Sequence, residues 1–152
     1  MIKSNTGTTW LLSTNRMDKV FIDTDIALDL LSQREPYYEA AARLFTLSDK
    51  GKVAIYISSL SFSNLHYLLT KQYNASESRR ILNSFKVLVR VLAVDDKIID
   101  LALSSKFADF EDAIQYFTAI ENGISNLLTR NIKDYAQSRI AVLTAETYLK
   151  RK

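Results

Sequence analysis

Five short runs of β-branched and aromatic residues alternate with stretches of helical periodicity, and this alternation limits the fold more than any other feature of the chain. The strand-like runs lie at 20–22, 53–57, 87–94, 124–128 and 140–143. Between them, apolar residues recur at helical spacing over about 26–31, 37–45, 60–71, 77–87, 96–107 and 110–120, with a last helix at about 145–150. Pro36 stops the first helix, Lys50-Gly51 closes the second, and Gly123 stands in the left-handed stop position after the stripe of Phe110, Ala113, Ile114, Phe117 and Ile120. Strands that alternate with helices and are covered on both faces form a parallel α/β sheet.

The chain has 152 residues, 47% of them hydrophobic, enough to close one core and too few for two ordinary domains. One Pro and three Gly leave little room for linkers. Residues 1–17 show neither period and are expected to be a leader ahead of a single domain at 18–152, with Met17 an alternative start. Trp10-Leu11-Leu12 is too short and too polar in its surroundings for a signal peptide. No apolar run reaches the roughly 20 residues of a membrane span, so a soluble cytoplasmic protein is the expectation.

Composition also narrows the chemistry. There is no cysteine, which removes disulfides, thiol nucleophiles and Cys-based metal sites. A Ser–His–Asp relay would have to use His66, the single histidine, which fits a structural or surface role better. The formal charge of +3 permits a polyanionic partner without arguing for one. Any catalysis therefore rests on carboxylates.

In open parallel sheets the ligand site lies beyond the carboxyl ends of the strands, and acids collect there in this chain. Asp23 directly follows the first strand and Asp25 comes two residues later. Thr129, Asn131 and Asp134 follow the fourth strand. Asp109 and Asp112 open the preceding helix, three apart on the face that also carries Tyr116. Each has a structural reading as well: Asp109 suits an N-cap, while Glu111 and Asp112 suit a helix dipole. Asp23 is different, because an acid at the end of a buried strand needs a partner or a task. Carboxylates gathered in this way repel one another, and a hard divalent cation such as Mg²⁺ or Mn²⁺ relieves the repulsion.

Three segments carry a family likeness. The run from Val20 through Asp23-Thr24-Asp25 to Leu31 resembles the opening of PIN domains. Asp109-Phe110-Glu111-Asp112-Ala113 resembles their third acidic motif, and Thr129-Arg130-Asn131-Ile132-Lys133-Asp134-Tyr135 their fourth. The order and spacing agree from about residue 18 to the C-terminus.

The resemblance implies a three-layer α/β/α fold with a five-stranded parallel sheet in the order 3-2-1-4-5. It implies a Mg²⁺- or Mn²⁺-dependent RNA endonuclease, typically the toxin of a VapBC-type pair, with a small antitoxin as partner and a homodimer as assembly. By position, Asp23 and Asp112 become direct metal ligands and catalytic residues, with Asn131 or Asp134 as the fourth-motif contact. Thr129 becomes a supporting hydroxyl, and Asp25 and Asp109 outer or alternate ligands. Where the family usually has Glu on the helix after strand two, this chain has Asn64, which keeps an oxygen but loses a charge. The alternatives are a catalytically weak PIN domain that binds RNA or protein, and a haloacid-dehalogenase-like phosphatase, whose opening Asp23-Thr24-Asp25 also fits. A receiver domain fits less well, since the fifth strand runs into Thr144 with no Lys.

Overall fold

A computed structural model describes residues 17–152. The expected leader therefore falls outside the described residues, except for Met17. The first strand, β1 (Asp18–Ile22), has neighbours on both sides, pairing in parallel with β2 (Val53–Ser58) and β4 (Asn126–Leu128). Val20, Phe21 and Ile22 are fully buried, as a continuous apolar run in a central parallel strand requires. With β3 (Arg90–Leu92) outside β2 and β5 (Ala141–Leu143) outside β4, the sheet is all-parallel in the order β3-β2-β1-β4-β5. Fold class and strand order agree with the expectation from sequence.

Seven helices cover the sheet in the described residues: α1 (Thr24–Leu31), α2 (Tyr38–Asp49), α3 (Ser59–Leu69), α4 (Ala75–Lys86), α5 (Asp96–Ser104), α6 (Phe110–Glu121) and α7 (Ala145–Lys150). The period of two along the strands sorts side chains between two layers. Val20, Ile22, Ile55 and Ile57 pack with Leu28, Leu65, Leu69 and Phe85 from α1, α3 and α4. Phe21 and Leu127 face the other way, onto Tyr116 and Ala119 of α6. Ile98 and Ala102 of α5 then pack on Ala113 and Ile114 of α6.

Strands run straight into helices at the carboxyl edge. The residue after β1, the last of β2 and the residue after β5 are the N-caps of α1, α3 and α7: Asp23, Ser58 and Thr144. Each side chain accepts a hydrogen bond from an early helical N–H, so the chain turns without stranding those donors.

Two local expectations differ from the structure. The 87–94 run reads as one strand, but Val87 is the C-cap of α4, 83% exposed, and pairing begins only at Arg90. The edge strand has one neighbour, so its length is set by pairing with Tyr56–Ser58 and not by its own β-branched content. On α6 the apolar stripe is only part of the buried surface: Ala113 and Ile114 are buried and Phe117 and Ile120 half-buried, but Phe110 is 46% exposed, and Gln115, Tyr116 and Thr118 are buried as well. Because α6 lies between the sheet and α5, it buries more than one stripe. The αL stop at Gly123 is present, with φ of 69°.

Ile55→Ala, at a fully packed central position, is expected to lower unfolding free energy by about 2–5 kcal/mol in urea titrations. Val87→Ser should change it by less than about 0.5 kcal/mol, since Val87 is outside the sheet.

Candidate active site at the carboxyl edge of the sheet

The geometry of the edge is set by Asp23. Its N–H continues the strand by donating to the carbonyl of Leu128 (2.9 Å), and its side chain is 8% exposed. Oδ1 accepts from the Thr24 N–H at 2.7 Å. Oδ2 accepts from Thr129 Oγ1 at 3.0 Å and from the Tyr135 hydroxyl at 2.9 Å. Thr129 is delivered by the end of β4, its N–H bonded to the Leu143 carbonyl of β5 (2.9 Å). Tyr135 is delivered by a 3₁₀ turn, Ile132–Tyr135, and its ring is held by Phe107 in the core under α6. That same hydroxyl lies 3.4 Å from Asp112 Oδ1, so one phenol spans the carboxylates of β1 and α6.

Asp25 secures the loop after β4. Its Oδ2 accepts from the Arg130 N–H at 3.0 Å, with Thr129 Oγ1 at 3.3 Å and Asn131 Nδ2 at 3.5 Å. Its Oδ1 is buried with no hydrogen-bond partner among the described residues. One turn on, the buried Asp29 pairs with Arg130 Nε at 2.9 Å, and the guanidinium stacks 4.1 Å from the centre of the Tyr37 ring. A cavity of about 400 Å³ opens here, bounded by Ile26, Asp29, Tyr37, Arg130, Asn131 and Thr144.

On the opposite wall, Asp109 is the N-cap of α6 and accepts from the Asp112 N–H at 2.9 Å. Asn64 of α3 donates from Nδ2 to Glu111 Oε1 at 2.8 Å. Beneath that contact, fully buried Gln115 donates to Ser61 Oγ at 2.9 Å, and Ser61 Oγ lies 2.8 Å from Thr24 Oγ1. Asp134 sits exposed on the 3₁₀ turn, close enough for its charge to act on Asp112. Of the residues read from sequence, Asp23, Asp25, Thr129 and Asn131 share one hydrogen-bonded cluster. Asp112 joins it through Tyr135, Asp109 joins only by capping, and Asn64 meets Glu111. Among the described residues, His66 Nε2 is buried without a hydrogen-bond partner.

Electrostatic strain is concentrated here. Burial, then the charge of Asp25, pushes the Asp23 carboxyl up to about 6, against the opposing hydrogen bonds from Tyr135, Thr24 and Thr129. Burial, then Asp23, Asp109 and Asp134, pushes Asp112 up to about 7. Asp25 and Glu111 are raised as well, again with burial the largest cause. Among the described residues, no three His, Cys, Asp or Glu side chains converge into a metal cage on their own. The donor set is instead a pair of strained carboxylates with the orphaned buried Oδ1 of Asp25 nearby. That suits Mg²⁺ or Mn²⁺, which bind through one or two carboxylates and keep water and phosphate oxygens in the shell.

The PIN domain family profile matches residues 19–133. The chain belongs to the PIN domain family. Ribonuclease VapC1 of Aquifex aeolicus (strain VF5) is 26% identical over 138 residues, covering 88% of this chain and 95% of the relative. A solved toxin–antitoxin complex from Klebsiella pneumoniae superposes with a TM-score of 0.62 at 23% identity, over 83% of this chain and 97% of that one. VapC20 of Mycobacterium tuberculosis, a sarcin–ricin-loop-cleaving toxin, gives 0.58 at 18% identity, over 71% and 86%. The phosphatase and receiver alternatives end with this assignment.

Sequence reading of this PIN domain did not single out Tyr135, Glu111 or the Arg130–Asp29 pair. For Tyr135 the signal was an aromatic with a polar handle closing the fourth motif. For Arg130 it was a basic residue inside an acidic set. Glu111 gave none, since a first-turn acid is ordinary on any helix.

Both carboxyl shifts are upward, so the folded metal-free protein binds more protons than the unfolded chain at neutral pH. This stabilisation is complete below the unfolded value and is lost as pH rises through about 6 and about 7. The metal-free Tm is therefore expected to rise as pH falls from about 8 to about 5.5. Saturating Mn²⁺ should raise Tm strongly at the alkaline end and little at the acid end. Calorimetric melts at both values test this, and a Tm that falls throughout that window in EDTA contradicts it.

Proposed function

We propose that this PIN domain is a Mg²⁺- or Mn²⁺-dependent RNA endonuclease, the toxin of a VapBC-type toxin–antitoxin pair. The observation that carries the reading is the pair Asp23 and Asp112, brought to one Tyr135 hydroxyl with both carboxyls raised and, among the described residues, no Lys or Arg in an ion pair with either. Likeness to Ribonuclease VapC1 supports the RNase chemistry, and the fold shared with a toxin–antitoxin complex supports the partner. The unit proposed to carry the activity is residues 18–152, with 1–17 as a leader.

In this reading Asp23 and Asp112 hold the cation, and Asn131 or Asp134 reaches it from the loop after β4. A bound divalent cation supplies Lewis acidity toward a phosphate oxygen and lowers the pKa of a water molecule. Thr129 and the Thr24 N–H fix the rotamer of Asp23. Asp25 holds the Arg130–Asn131 loop in place as an outer ligand, and Asp109 orients Asp112 by capping its N–H. The proposed partners are an RNA substrate, a small antitoxin that offers a basic side chain to the acids, and a second copy of this chain. Among the described residues, no helix is long and apolar enough to cross a membrane.

A second reading, a PIN domain that binds RNA or protein without cutting it, is favoured by the uncharged Asn64 on α3. The two readings separate in one assay of the purified protein with a mixed RNA pool and Mn²⁺. Cleavage by the native protein that disappears in Asp23→Asn supports the nuclease. Thr129→Val, which keeps the shape and loses the hydroxyl, should reduce the rate by about 10–100-fold. An intact fold that binds RNA and leaves it uncut over the whole metal range favours the second reading.

A further inference from the structure

The cavity of about 400 Å³ between α1, α2 and the loop after β4 has no task in the proposed phosphate chemistry. Its volume is in the range of small-ligand sites, which combine an apolar surface with a few placed polar groups. Here Ile26, Ala40 and Ala41 supply the apolar surface, and Arg130 and Asn131 supply polar groups. Three consecutive residues join the cavity to the acids. Thr129 Oγ1 bonds Asp23 Oδ2 at 3.0 Å, the Arg130 N–H bonds Asp25 Oδ2 at 3.0 Å, and Asn131 follows. A strand with one phosphate at those acids would carry its neighbouring nucleotide past the cavity.

The charges of the lining decide what fits. Arg130 Nε is already paired with the buried Asp29 at 2.9 Å, so neither charge is left to select an ion. Glu146 also lines the cavity, but it is 73% exposed and pairs with Lys150 in water, where such a pair counts for little. A phosphate would meet one matched cation and two carboxylates. A Lys or Arg side chain would meet the guanidinium. The cavity suits an uncharged group with a flat face and acceptors along its edge. Arg130 is held ready for one, its guanidinium 4.1 Å from the centre of the Tyr37 ring. Among the described residues its Nη groups make no hydrogen bond, so they remain free as donors. Tyr37 is 43% exposed and adds aromatic surface. Unpaired RNA bases are held in this way, stacked on aromatic or guanidinium planes and bonded at their edges.

We propose that this cavity is a base subsite, taking one unpaired base of the RNA onto the Arg130–Tyr37 platform beside the phosphate to be cut. This rests on the RNA reading of the acidic site. The Arg130 Nη groups bond the edge of the base, and the subsite sets which base flanks the cut. Tyr37 determines specificity and takes no part in the phosphate chemistry.

NMR titration of the protein in EDTA with adenosine, guanosine, cytidine and uridine tests this apart from cleavage. Inorganic phosphate and the N-acetyl amides of arginine and tyrosine serve as competing chemistries. At least one nucleoside is expected to bind and move the Ala41 and Arg130 amide signals. Tyr37→Ala, and Ala40→Phe, which fills the cavity, should each weaken that binding about tenfold, the scale of one base stack. Far-UV circular dichroism verifies the fold of both. In the mixed RNA pool both variants should still cut, with the native base preference beside the cut lost. No shift with any nucleoside at millimolar concentration overturns the proposal. Shifts with phosphate or an amino-acid amide and none with nucleosides overturn it in favour of an anion or a peptide partner. Undiminished nucleoside binding in both variants places the base elsewhere and overturns it. Cutting with the native base preference in both variants overturns it and leaves the nuclease reading standing. Nucleoside binding that both variants weaken, in a protein that cuts no RNA, supports the subsite and removes the nuclease.

Discussion

Burial of a carboxylate at the end of the central strand is the constraint around which the rest of the structure is arranged. Asp23 belongs to β1 by its backbone and to α1 by its cap, so it cannot move to solvent without breaking both. An unpaired buried charge is costly enough that the group either finds donors or gives up its ionisation. The chain supplies three donors from three places: the next residue, the end of β4 and the 3₁₀ turn beyond it. Pairing of β4 with β1 places Thr129, and the packing of Tyr135 beneath α6 places its hydroxyl. The sheet order and the site geometry are thus two consequences of one requirement.

Three neutral donors do not fully meet that requirement. Desolvation and the charge of Asp25 still outweigh the hydrogen bonds, and the carboxyl stays well above its usual value. Asp112 has a single shared phenol and three acidic neighbours, and it is raised further. The site therefore holds protons near neutral pH that a cation can displace. In the proposed reading, proton and cation would compete for the same oxygens, which would couple metal affinity to pH and metal-free stability to acidification. Removing the acids would relieve the strain and also remove the reason for a cation to bind, a trade that functional sites commonly make.

How much of this was legible in the sequence depends on whether the signal is local. Four of the five strand runs, the acids at their ends, the Asp109 cap and the αL stop at Gly123 are set by neighbours in the chain, and these agree with the structure. The boundary of β3 is set by pairing with β2 across more than 30 positions, and the strand is shorter than its composition suggests. Tyr135 meets Asp23 across 112 positions, and Asn64 meets Glu111 across 47. Such contacts leave no periodicity. The family likeness identified the acidic positions, and it could not show that a phenol would span two of them or that an amide on α3 would pair with an acid on α6.

Arg130 ties the loop after β4 to two acids of α1. Its N–H binds Asp25 while its side chain pairs with Asp29 and stacks on Tyr37, so one residue acts on two acids of the same helix by different means. Asp29 is thereby matched to a full positive charge, yet burial still holds its carboxyl above the usual range and its Oδ1 has no hydrogen-bond partner among the described residues. Asp25 receives mainly a neutral amide, and its second oxygen receives nothing. Moving the guanidinium toward Asp23 would neutralise the carboxylates a cation needs. With the guanidinium one helical turn away, both acids of α1 keep raised carboxyls, Asp29 beside an ion pair and Asp25 beside a backbone amide.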